Sequence, residues 1–354
     1  MAPTTGTYTL ADLLAVRFQS VNAFGINTVV DALRNDLAAH NQIVADMMRD
    51  LAMTTTDTQG VYGTGSGGEM GEVDEYGRSQ TQKSQPGSTV AFPLRKFQYA
   101  AGWTLDFLEE ATPADLAQRQ LDAEKAHVKA VRRDLKRAIY GATNYTWNDF
   151  LVNNVALAVK RFVNADSAAI PDAPDGSTFT ASSHTHYDGA SSLTAAVVTA
   201  AITDLIEHGH GGKVMIAINY ADATAFSALT GFIPAIATYI DIPATSASVP
   251  MGRANLADQY NRLLGYFGAA EVWVKPWAIA NYLFVWDAAS SNKPLAFREP
   301  INAAKRGLYL AATLNTYPFN ADYYEAKYGV GVFTRTNGVV VYFANSTYAS
   351  PTIT

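Results

Sequence analysis

The chain has 354 residues, 48% of them hydrophobic and 16% charged, a formal net charge of -6 and no cysteine. That length supplies a substantial core in two or three modules, and the composition is that of a folded, soluble protein. The acidic balance speaks against a dedicated nucleic-acid binder, and the lack of cysteine excludes disulfides, thiolate catalysis and cysteine-based zinc sites.

The opening MAPTTGTYTLADLL lacks the basic flank and apolar core of a signal peptide. No run approaches the roughly 18 apolar residues of a membrane helix, so no membrane partner is expected. Residues 9–53 read as mostly helical. Asn27-Thr28 is a candidate cap for a helix starting near Val29, and Val29, Val30, Leu33, Leu37, Val44, Met47, Met48 and Leu51 recur at steps of three and four.

From Thr54 to Ser88 there is no sustained period. This polar stretch holds Gly60, Gly63, Gly65, Gly67, Gly68, Gly71, Gly77 and Gly87. It cannot bury much of itself, and unstructured loops this long inside a domain are uncommon and usually functional. Residues 89–99 alternate like a strand through Val90, Phe92, Leu94, Phe97 and Tyr99, with Pro93 marking an edge or bulge. Together they predict a two-legged extended arm.

Thr112-Pro113-Ala114-Asp115 is a helix start with a cap, a proline at the first helical position and a capping-box acid. The helix is expected to run to Tyr140 and stop at Gly141, about 42 Å at 1.5 Å per residue. Leu121, Val128, Val131, Leu135 and Ile139 make a narrow apolar seam, the pattern of a strut laid across other elements. A second helix is expected over Trp147–Asn164, and the Pro, Asp, Ser and Gly residues of 165–189 mark a loop and module boundary. Beyond it lie a helix over Leu193–His208, a buried strand over Lys213–Asn219 and a helix over Ala221–Leu229. Next come a helix end or turn and a strand over Leu263–Val274, then a buried strand over Tyr282–Asp287. This alternation describes an α/β module. Tyr323–Phe343 reads as two strands joined as a hairpin through Thr336-Asn337-Gly338.

Few residues propose chemistry. Gly63–Gly68 lacks the preceding buried strand and following helix of a phosphate loop, and Glu69, Glu72, Asp74 and Glu75 follow it. His184-x-His186 and His208-x-His210, with Asp188, are the metal candidates. Against that, Glu207-His208-Gly209 also reads as an ordinary helix end. HExxH and GxSxG motifs are absent, and Glu109-Glu110 reads as a helix-start pair. Lys83, the lone lysine of the glycine-rich stretch, is a candidate for an isopeptide bond, with Asn320 or Asn345 as partner. No catalytic, cofactor-binding or metal residue is assigned, and the chain is not expected to be an enzyme.

The order of these segments resembles the major capsid proteins of tailed phages, which share the fold named after phage Hong Kong 97. By position, 54–102 is similar to the extended loop and Thr112–Tyr140 to the spine helix. Leu263-Leu264-Gly265-Tyr266 with AEVWVK and YLFVWD is similar to the close of the axial domain. Tyr328–Val332 with Thr334–Val340 is similar to the last peripheral strands. The resemblance implies an α+β fold with an N-terminal arm (1–53), an extended β-hairpin loop (54–102) and a peripheral domain with its spine helix (103–190). An α/β axial domain (191–315) and peripheral return strands (316–354) complete it. It also implies self-assembly as hexamers and pentamers into an icosahedral phage head around double-stranded DNA, built in the host cytoplasm. Portal, separate scaffolding and decoration proteins are the further partners. Asp74, Glu75, Arg78, Lys83, Arg95 and Lys96 would be intersubunit charges. The stretch 145–189 departs from the pattern, as an insertion with a helix and a histidine loop. The alternatives are an encapsulin-like nanocompartment shell, or a metal-dependent enzyme using the two His pairs.

Overall fold

The structure, a computed structural model, describes residues 7–62, 70–79, 81, 88–235, 239–242, 252–255, 260–316 and 319–353. Near the N-terminus, side-chain caps set the helix starts. Thr9 and Asp12 form a capping box on α1 (Leu10–Ala15), and Ser20 caps α2 (Val21–Phe24). The third helix, α3 (Ile26–Met48), begins earlier than Asn27-Thr28 suggested. Gly25 takes the cap position at φ 114°, so the chain turns straight from α2 into α3. Leu13, Val21, Phe24, Val29 and Ala32 pack with Ala117 of the long helix.

The arm is rooted as two strands. After β1 (Ala52–Thr55), β2 (Gln59–Tyr62) pairs antiparallel with β3 (Ser88–Ala91), Gln59 opposite Ala91 and Tyr62 opposite Ser88. Pro93 separates β3 from β4 (Arg95–Thr104), because it has no N–H to continue a ladder. A short helix, α4 (Leu105–Glu110), leads into α5 (Pro113–Tyr140), whose 28 residues and Thr112–Asp115 capping box match the expectation. Val131, Leu135 and Ile139 of the seam are buried, and Leu121 and Val128 are half-buried.

The expected helix over Trp147–Asn164 is instead a hairpin of β5 (Tyr145–Asp149) and β6 (Val155–Val159). Asn153 and Asn154 turn it at φ 52° and 54°, a region that asparagine tolerates. Leu157 and Val159, two apart, bury against Ala91, so the period is that of a strand. Asp149 anchors the hairpin through a buried ion pair with Arg298, 2.7 Å long, and Arg298 also donates to the Phe92 carbonyl.

Beyond β7 (Tyr187–Gly189), Thr194 caps α6 (Ala195–Ile206), and β8 (Val214–Ile218) is wholly buried. A 3-10 turn and α7 (Ala223–Ser227) follow, then β9 (Phe232–Pro234) and a ribbon of β10 (Tyr239–Ile242) and β11 (Gly252–Asn255). The expected helix end at Leu263 is also a strand. β12 (Arg262–Phe267) turns at Gly268 (φ 58°) into β13 (Ala270–Val274). The chain ends with β14 (Tyr282–Asp287), β15 (Leu295–Arg298), β16 (Leu308–Thr316), β17 (Phe319–Val332) and β18 (Val339–Tyr342).

Among the described residues these strands build two main sheets. Seven strands run in the order β7-β18-β14-β8-β13-β12-β9. Its Val214, Ile216 and Ile218 face α6 and α7, while Met215, Ala217 and Phe284 face Trp277, Tyr140 and the long helix. The five-stranded sheet is ordered β1-β15-β17-β16, with β4 paired along β17. The expected hairpin through Asn337-Gly338 does not form, because β17 and β18 lie in different sheets, and residues 316–354 feed both. Asn337 is fully buried and uses its amide on Asp287 N–H (2.8 Å), Asp287 C=O (3.2 Å) and Asn292 C=O (2.9 Å). Those bonds hold an inter-sheet crossover in place of a turn.

Candidate functional site

The arm's described residues from Met70 to Ser79 are all exposed, among them Asp74, Glu75 and Arg78. Met70 is 103% exposed and Tyr76 89%. Lys83 lies outside the described residues. Asn320 is buried on β17, and Asn345 is exposed beside its bridge to Ala190. The remaining two charges find partners within the chain. Arg95 lies over the Trp147 ring at 4.6 Å, and Lys96 pairs with Glu325.

The sequence-nominated histidines separate into two groups. His184 Nε2 lies 3.3 Å from His186 Nε2 and 2.9 Å from His208 Nε2. His210 is elsewhere, 2.9 Å from the Thr336 hydroxyl, and Asp188 interacts with Asp204, not with the imidazoles. Burial and Asp204 push Asp188 up to about 7. The ends of two segments bring the three rings together. His184 and His186 lie on the run into β7, and His208 closes α6. Phe179 covers His184 and His208, its centroid 4.9 and 4.1 Å from theirs. His186 is fully buried, its Nδ1 2.9 Å from the Gly338 carbonyl. Glu207 Oε1, which the sequence reading took for part of a helix end, lies 3.5 Å from His184 Nε2 and 3.9 Å from His208 Nε2. Burial is the main cause that lowers all three imidazoles, His186 well below its ordinary value and His208 to about 3. All three are neutral at neutral pH.

A second polar cluster lies between α3 and α5, and the sequence reading missed it. His40 Nε2 and His127 Nδ1 are 2.9 Å apart, with Glu124 Oε2 3.9 Å from His40 Nδ1. Gln120 donates to Asp36 (3.0 Å) and Glu124 (3.1 Å). The available signal was spacing, since Gln120, Ala123, Glu124, His127 and Val131 fall on one helical face.

No protein-family model and no curated protein matches the chain. Among solved structures, a chain of Mycobacterium phage Patience aligns with a TM-score of 0.66 at 18% identity, covering 99% of this chain and 96% of that one. A capsid chain of a native GTA particle aligns with a TM-score of 0.48 at 14% identity, covering 84% and 89%. A chain of the holo-SrpI encapsulin complex from Synechococcus elongatus PCC 7942 aligns at 0.43 and 8%, covering 86% and 90%.

Proposed function

We propose that this chain, which has the α+β Hong Kong 97-like fold of tailed-phage capsid proteins, is a major capsid protein that assembles into an icosahedral phage head around double-stranded DNA. The observation that carries this reading is the fold match to a phage chain over 99% of the residues. The exposed arm supports it. A hairpin with paired roots and uncovered Met70 and Tyr76 gains burial when it lies over another copy. In this reading 1–53 is the N-terminal arm and 54–102 the extended loop. Residues 103–190 and 316–354 serve the peripheral domain, and 191–315 the axial domain. Asp74, Glu75, Arg78 and Lys83 meet neighbouring subunits, while Arg95 and Lys96 brace the root of the arm before any intersubunit contact. Hexamers and pentamers close the shell, each contact modest and the lattice strong through repetition.

The work is structural, not catalytic. The acidic chain contacts packaged DNA non-specifically and does not grip it. Portal, scaffolding and decoration proteins are the further partners, and the virion is the final location after assembly in the host cytoplasm. Electron microscopy of the purified protein over a range of concentration and salt tests the reading. Closed particles of uniform diameter are expected, with nuclease-protected DNA in those from infected cells. A chain that stays monomeric under every condition overturns it, and closed particles that hold protein cargo in place of DNA favour the nanocompartment.

A further inference from the structure

Three stretches distant in sequence meet at the first histidine cluster: the loop before β7, the C-terminal end of α6 and the crossover between β17 and β18. We propose that His184, His186 and His208 bind one zinc-class divalent ion through their Nε2 atoms, with Glu207 Oε1 in the fourth position, as a structural staple between these stretches.

A carbonyl only accepts, so the 2.9 Å contact with Gly338 requires the proton on His186 Nδ1. Its Nε2 therefore presents a lone pair to His184 and His208. A ligand imidazole whose other nitrogen donates to a backbone carbonyl is the usual outer-shell arrangement of a metal-bound histidine.

Three nitrogens at 2.0–2.1 Å from a tetrahedral zinc ion stand about 3.3–3.4 Å from one another. The contacts here are 3.3 and 2.9 Å, and all three ligand atoms lie within 4.8 Å of one another. Hydrogen bonding alone satisfies this cluster poorly. A proton on His184 Nε2 points squarely at one neighbour only, so the other contact sets nitrogen against nitrogen with nothing between. A cation at the centre resolves both at once.

The donor set selects the ion. Three imidazoles and one carboxylate suit zinc and its borderline-soft neighbours, whereas magnesium and calcium take oxygen ligands. Glu207 Oε1 reaches two of the three imidazoles, 3.5 Å from His184 Nε2 and 3.9 Å from His208 Nε2, and as the fourth ligand it would leave no coordination position open for a substrate, which marks a structural site and not a catalytic one. Phe179 and the burial of His186 keep water away.

The tie adds to those the loop already has, the Ala165 and Ser167 N–H bonds to the His184 and Ala181 carbonyls and the Arg335–Asp166 ion pair. Between β6 and β7 the loop runs with no regular element longer than a single bridge, Asn164 to Thr185. Ala165 and Ser167 stand at φ 56° and 60°, unfavourable for side chains of these types, and they persist only where the surroundings hold them. The ion fixes the far end of this loop to the flank of the seven-stranded sheet. Metal binding is independent of shell formation, so its failure leaves the capsid reading untouched.

The test uses the full chain, stripped with chelator and then titrated with Zn2+ and with Co2+ as a visible-absorbing probe. One equivalent of either ion, a tetrahedral Co2+ spectrum and a Zn2+-dependent rise in Tm are expected. His208→Ala, and the more exposed His184→Ala, should weaken Zn2+ binding more than the 10–100-fold of an outer-shell change. His210→Ala should keep one equivalent. Wild-type protein that binds neither ion stoichiometrically overturns the proposal, as does undiminished binding in both His208→Ala and His184→Ala.

Discussion

Glu124 sits between α3 and α5 with Asp36, His40, Gln120 and His127 around it. Burial, then the hydrogen bond and charge of Asp36, raise its carboxyl to about 8, and Gln120 opposes them only in part. The unfolded chain gives up this proton near 4.5. The contribution of Glu124 to stability is therefore full below pH 4.5 and lost as pH rises through 8. His127 works in the other direction. Burial, then His40, lower it to about 4, so its contribution is present above 6.5 and lost as pH falls through 4. The two oppose each other between 4.5 and 6.5, and from 6.5 to 8 Glu124 acts without His127. Thermal denaturation should show Tm falling from pH 6.5 to 8, with a clearly smaller fall in Glu124→Gln. The remainder belongs to groups such as Asp188, which titrates through the same range. An unchanged slope in the variant would remove Glu124 as its source. At this scale the histidines stood out as candidates in the sequence, but their grouping did not. Gly209, at φ 82°, turns the chain between His208 and His210 and sends them to different neighbours. Nothing in a local pattern encodes that.

Elements with a strong local signature were read well. The capping box at the start of α5 is decided within a few adjacent residues, and so is the apolar run of β14. Elements decided by distant partners were not. The β5–β6 hairpin is a strand pair because Ala91 and Arg298 await it, and the Asn337 turn gave way to an amide that the end of β14 occupies. Gly329 is a further case. It stands where β17 leaves β4 and joins β15, and a Cβ there would lie 1.5 Å from the Pro93 carbonyl oxygen. The backbone of the arm's root crosses β17 in contact with it. Gly329→Ala should therefore push the root off the sheet. The expected result is a large loss of Tm or of soluble subunit, against little change for Gly211→Ala, where φ is not positive and a Cβ meets only Ile206 Cγ1 at 3.8 Å. Soluble Gly329→Ala subunits with wild-type Tm would refute the crossing.

For the whole molecule, the proposed function predicts that the arm and the body are separable in stability but not in assembly. Tyr62 of β2, Val90 of β3 and the adjoining Phe92 pack with Ala296, so the root belongs to the core, while Met70–Ser79 touches little. Replacing residues 63–87 with Asn-Gly, a turn suited to joining paired strands, should leave Tm near wild type and abolish closed particles. Size exclusion and microscopy read both results together, and particles of normal size from this variant would show the arm to be dispensable. The crossover between β17 and β18 gives the arm mechanical meaning. Phe333 lies against Phe92 at 6.0 Å, Arg335 lies over Tyr62 at 5.6 Å and pairs with Asp166, and Asn337 grips Asp287 two residues on. In the proposed shell, a pull on the arm by a neighbouring copy would meet both sheets and the histidine loop within five residues of chain, along a path of rings and buried amides. The arm is a lever whose fulcrum is already bolted to everything it would move.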